Sequence, residues 1–119
     1  MSYLAVFIGG GLGSIARFSL SLLFVKLKWT NFPWATLVSN FLACIALGFI
    51  VYIFKDKMLE IKWLTPLLIT GFCGGFSTFS TFGLESITLF NQGNYLFFGL
   101  NILISILLGF GILLFLSKN

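Results

Sequence analysis

The segment Gly71-Phe72-Cys73-Gly74-Gly75-Phe76-Ser77-Thr78-Phe79-Ser80-Thr81-Phe82 decides the reading of this chain, because it sets a glycine pair and a run of hydroxyls inside a long apolar stretch. Hydrocarbon offers no water to pair with freed amides and carbonyls, and each unpaired group costs several kcal/mol there. Backbone that leaves the helix at membrane depth therefore persists only where protein buries it or where it lines a polar cavity. The segment reads as a site.

Outward from it, composition makes the setting a membrane. The 119 residues are 59% hydrophobic and 8% charged, and the mean hydropathy is +1.09. Apolar runs of about 20 residues predict membrane-spanning helices, and four fit, at roughly 3–25, 33–54, 64–90 and 95–117. The first is too long for a signal peptide, contains Arg17 and precedes no small-residue cleavage site, so it is expected to be retained. The connections 26–32, 55–63 and 91–94 are too short to fold alone, which predicts one domain over 1–119.

Several functions are excluded. The formal net charge of +4 comes from a few loop lysines and does not make a nucleic-acid patch. With no histidine, three acids (Asp56, Glu60, Glu85) and two cysteines apart in sequence, neither a zinc cluster nor a nucleophile–base pair is expected. The chain does not read as an enzyme. Cys44 and Cys73 read as small apolar residues inside helices.

Charge also bears on orientation. Lys55, Lys57, Lys62 and Lys118 fall on one side of the membrane, and Lys26, Lys28 and Arg17 on the other, four against three. Lysine and arginine bias normally sets orientation. So even a split predicts insertion both ways round and an antiparallel homodimer.

Polar residues in the spans are few and aligned. Gly9, Gly13, Arg17 and Ser21 recur at steps of four on the first helix, where small residues admit close helix packing. Arg17, near the helix end, reads as a snorkelling or structural hydrogen-bonding cation ahead of a ligand-binding one. After Pro33, Thr36 and Asn40 lie one turn apart on the second helix. An amide there is either interhelical glue or a donor lining a path. Asn101, Ser105 and Gly109 form a similar stripe on the fourth.

On the third helix, Gly74-Gly75 weakens the helix, while Ser77, Thr78, Ser80 and Thr81 can take over freed backbone hydrogen bonds. Carbonyls freed at such a break can hold a cation, and the half-helix that follows offers partial positive charge. Phe79 and Phe82, three apart, share a face, and their ring edges carry positive quadrupole charge.

The third-helix segment resembles the signature of the CrcB/Fluc family of fluoride channels. The resemblance extends to Gly13-Ser14-Ile15-Ala16-Arg17-Phe18, to Thr36-Leu37-Val38-Ser39-Asn40 and to the four-helix length. It implies an all-α membrane protein of the bacterial cytoplasmic membrane, a dual-topology homodimer with two fluoride pathways. Phe79 and Phe82 match the pore-facing aromatic pair and Asn40 the pore amide. Thr36, Ser105, Asn101 and Gly109 fall on the polar track, although some members carry tyrosine and serine where this chain has Asn101 and Gly109. Ser80 and Thr81 belong to the same pore set. Gly74 and Ser77 match the positions whose backbone carbonyls hold a central, structural sodium ion.

Glu85, near the end of the third helix, reads as vestibular or structural ahead of proton-coupling. No ATP site, coupling carboxylate or proton-relay histidine is visible, which favours a passive channel. The other readings are a four-helix exporter of the multidrug type, though its expected first-helix carboxylate is missing, and a non-transporting scaffold subunit, which leaves the polar stripes unexplained.

Overall fold

The computed structural model describes residues 1–118, whose regular elements are all helices. Four helical stretches are long and apolar enough to cross a membrane: Ser2–Lys26, Trp34–Ile53, Pro66–Asn91 and Tyr95–Ser117. Each lies within about three residues of its expected bounds. The molecule measures 50 × 31 × 23 Å, so its long axis exceeds a hydrocarbon core of about 30 Å.

Helix α1 (Ser2–Lys26) stops in a Schellman turn, in which Trp29 N–H bonds the Phe24 carbonyl and Lys28 N–H that of Val25, each at 3.0 Å. The residue that takes the left-handed conformation there is Lys28, at φ 63°. Helix α2 (Trp34–Ile53) starts directly after Pro33, whose carbonyl accepts the Leu37 N–H. The connection after it, expected to be too short to fold, carries the two-turn helix α3 (Lys55–Glu60). None of its residues is buried.

The third span has three helical pieces: a π-helical segment (Pro66–Cys73), α4 (Gly74–Phe76) and α5 (Phe79–Asn91). The sequence points to Gly74-Gly75 as the weak place, yet both are helical. The extended residues are Ser77 (φ −84°, ψ 158°) and Thr78 (φ −153°, ψ 120°). Helix α5 ends at Gly93, φ 80°, with Asn94 N–H bonding the Leu89 carbonyl at 2.9 Å. Asn94 then caps α6 (Tyr95–Ser117) by accepting the Phe97 N–H.

Two helix contacts position the site. Helix α1 and the first half of the third span touch backbone to backbone: a Cβ on Gly9 would fall on the Leu67 carbonyl oxygen, one on Gly13 on that of Phe72, and one on Gly75 on that of Gly10. The glycines at steps of four are thus packing residues. Helices α2 and α6 pack in parallel register. Phe32, just before α2, meets Phe97 (ring centroids 5.3 Å apart), Cys44 meets Gly109, and Gly48 meets Leu116 and Leu113. The offset is 65 from 32 to 97, from 44 to 109 and from 48 to 113, and one turn more from Gly48 to Leu116, its nearest neighbour. The Thr36–Asn40 stripe therefore runs beside the Asn101–Ser105 stripe, rung for rung.

Little apolar surface is buried within the single chain, and residues such as Tyr3, Phe7, Phe79 and Phe110 are exposed. In water such a surface would aggregate. In a bilayer it is the expected exterior.

Candidate functional site

The site forms where α2 meets the two extended residues of the third span. Asn40 accepts the Thr78 N–H on its Oδ1 at 2.7 Å and donates from Nδ2 to the Thr78 carbonyl at 3.2 Å. One side-chain amide thus does for Thr78 what a neighbouring strand would do. Because an amide nitrogen carries two hydrogens, Asn40 keeps a second N–H to offer elsewhere.

The remaining hydrogen bonds at the step can be followed one by one. In a continuous helix Thr78 N–H would bond the Gly74 carbonyl and Thr81 N–H that of Ser77. The first goes to Asn40, and the second goes to Thr78 Oγ1 at 3.2 Å, which makes Thr78 the N-cap of α5. The Gly74 and Ser77 carbonyls thereby lose their helical donors. Arg17 Nε donates to the Gly75 carbonyl at 3.1 Å, so this cation bonds backbone within the span. Ser77 takes no part in this cap. Its Oγ donates back to the Cys73 carbonyl at 2.9 Å.

A cavity of about 440 Å³ opens beside this step. Asn40, Ser77, Phe79, Phe82, Ser105 and Gly109 are in its wall. The Phe79 and Phe82 rings lie 6.0 Å apart at 46°, and Phe79 is 84% exposed on the single chain. The Ser105 hydroxyl is buried without a partner. The cavity wall therefore carries one unpartnered hydroxyl, an amide with a second N–H and two aromatic rings whose edges are electropositive.

Other sequence-selected residues lie outside this cavity. Asn101 is 1% exposed and donates from Nδ2 to Ser86 Oγ at 2.9 Å. Its Oδ1 has no partner. Thr36, buried one turn before Asn40, lies near Glu85. Glu85 lines two smaller cavities under the 27–33 connection, and its Oε1 is buried unpaired. Ser80 pairs with Thr78 Oγ1 at 3.4 Å and is exposed, and Thr81 contributes its backbone N–H to the cap.

Thr78, the residue that organises the step, was one of four hydroxyls in the sequence reading. Its signal was the Thr78-x-x-Thr81 spacing that places a capping oxygen opposite an N3 amide. Cys44 was also passed over, although it continues the Thr36–Asn40 stripe by four residues and reaches the cavity wall.

A family model described as "CrcB-like protein, Camphor Resistance (CrcB)" matches residues 4–116. The chain belongs to this family. It is 45% identical over 106 residues to the "Fluoride-specific ion channel FluC" of Azobacteroides pseudotrichonymphae genomovar. CFP2, covering 86% of this chain and 82% of that protein. It is 40% identical over 108 residues to the protein of the same name from Phocaeicola vulgatus, covering 91% and 88%. With the one from Koribacter versatilis it shares 41% over 102 residues, covering 85% and 80%. This CrcB-like chain is a multi-pass membrane protein, with a largely apolar cavity beside the extended step of the third span into which a few polar side chains reach.

Proposed function

We propose that this chain forms a fluoride-selective passive channel, as its relatives' names say of them. The observation that carries the reading is the cavity whose wall brings together Phe79, Phe82, Asn40 and Ser105. Fluoride is small, hard and strongly hydrated, so a selective path must replace its water with several donors that still release it. Ring edges, one hydroxyl and one amide N–H are such donors, and no lysine lines the cavity to hold the ion. Thr36 and Asn101, one rung away, extend the same polar seam.

The working unit in this proposal is an antiparallel homodimer with two pathways. The exposure of Phe79 and Gly74 on the single chain supports it, as does the four-against-three charge split. A sodium ion at the dimer axis is the second part. The Gly74 and Ser77 carbonyls fit that role because both have lost their helical donors to Asn40 and Thr78. Four such oxygens from two chains suit a hard cation, which would fasten the chains together.

Export follows from acid chemistry. Hydrogen fluoride crosses lipid as a neutral acid and dissociates in a near-neutral cytoplasm, and a passive path lets the trapped anion leave down a membrane potential negative inside. Fluoride efflux from proteoliposomes holding only this protein tests the function: efflux well above protein-free vesicles is expected, and its absence rules the reading out. Thiol labelling of a single loop cysteine from each face tests the topology. Label from one face only rules out the antiparallel dimer.

A further inference from the structure

Cys44 and Cys73 lie on different spans but line one cavity of about 180 Å³ between α2 and the third span, together with Gly74 and Ser77. Their approach follows from register. Asn40 is bonded to Thr78, and consecutive spans run antiparallel. One turn on from Asn40 is Cys44, and Cys73 stands just before α4, on the same side of the extended step. Both thiols are free, and Cys73 is only 5% exposed. On its other side Cys44 faces Gly109, its Sγ 3.4 Å from where a Cβ would stand.

We propose that Cys44 and Cys73 form a binding site for a soft divalent ion of the mercury(II) class, held linearly between two sulfurs. Thiolates select soft ions. Binding is an exchange with no change of oxidation state: two thiols and one divalent ion give a neutral bis-thiolate and two protons, which leave to water. Neutrality matters at membrane depth, where net charge is expensive. A soft monovalent ion between two thiolates would leave one negative charge. Zinc prefers four ligands, and among the described residues no group of three or more His, Cys, Asp or Glu is placed to hold a metal. Because Cys44 also lines the cavity at the extended step, the site is read by metal binding alone and not by transport.

The test uses the purified full-length chain in detergent with mercuric chloride, read by thiolate-to-mercury ultraviolet absorption and by intact mass, without any transport measurement. The expected result is one mercury per chain, retained against a tenfold excess of a monothiol. Cys44→Ser, Cys44→Ala and Cys73→Ser, each eluting as the parent does, should surrender it to the same competitor. If Cys73→Ser fails to fold, the two Cys44 variants decide. Two mercury ions per chain, chains joined in pairs by mercury, no bound mercury, or a single-cysteine variant as retentive as the parent would each overturn the proposal.

Discussion

Asn40 grips Thr78 at both ends of its peptide groups, accepting from its N–H and donating to its carbonyl. This places an amide inside an apolar helix where it satisfies backbone that the third span leaves open. Asn40→Ala removes both partners at once, and each buried polar group left unpaired costs about 1–3 kcal/mol. The variant is expected to lose dimer yield or thermal stability in detergent by a margin of that size, together with fluoride efflux. Asn40→Asp keeps the acceptor for Thr78 N–H but, when ionised, sets an oxygen in place of the donor to the Thr78 carbonyl and a charge at membrane depth, so it should not restore the parent's stability. Equal stability of Asn40→Ala and the parent would show that the grip contributes nothing.

The four spans were legible in the sequence because run length and hydropathy are local properties, and the stripes of Thr36–Asn40 and Asn101–Ser105 because helical period is local too. Their parallel alignment was not, since it depends on which helices pack. The same holds for Cys44 and Cys73, which look isolated along the chain yet share a cavity. The place of the extended step was misjudged for a local reason. Glycine tolerates helix at a modest cost, and here Gly75 stays helical while its backbone lies against Gly10. The step falls instead where Asn40 and the Thr78 hydroxyl can take over amide hydrogen bonds.

Glycines in α1 separate into contacting and free positions. A methyl on Gly13 would meet the Phe72 carbonyl, a backbone atom that cannot move aside, whereas one on Gly11 meets nothing within 4 Å. Gly13→Ala should destabilise the fold by about 1–3 kcal/mol or more, read as a lower melting temperature in detergent. Gly11→Ala, which gains helix propensity at an open position, should be neutral or slightly stabilising. Indistinguishable melting curves for the two would contradict the backbone-to-backbone packing.

For the proposed sodium site the side chains of Ser77 and Thr78 act differently. The Ser77 hydroxyl bonds the Cys73 carbonyl, so Ser77→Ala leaves the proposed ligand carbonyls in place and should keep the ion. Thr78→Val removes the cap acceptor for Thr81 N–H, and loss of a threonine cap costs about 1 kcal/mol. It should weaken sodium dependence of dimer stability. Melting in sodium against a larger monovalent cation reads the effect; a parent protein indifferent to sodium would remove the site altogether.

Phe79 and Phe82 distinguish packing from conduction. If the rings only fill space, isoleucine in their place should be tolerated, since volume-similar apolar replacements usually cost under about 1.5 kcal/mol. Packing demands are slight for Phe79, which is 84% exposed on the single chain. If their edges meet fluoride, an aliphatic side chain cannot supply the positive rim of the quadrupole. Phe79→Ile and Phe82→Ile should then abolish efflux while dimer yield and elution stay normal. Phe72, whose ring packs on Phe76 at 5.7 Å away from the cavity, is the control, and Phe72→Ile should keep most of the flux. A fluoride electrode on proteoliposomes reads all three, and near-parental rates in both Phe79→Ile and Phe82→Ile would mean that the two rings are packing residues and that the conduction path lies elsewhere.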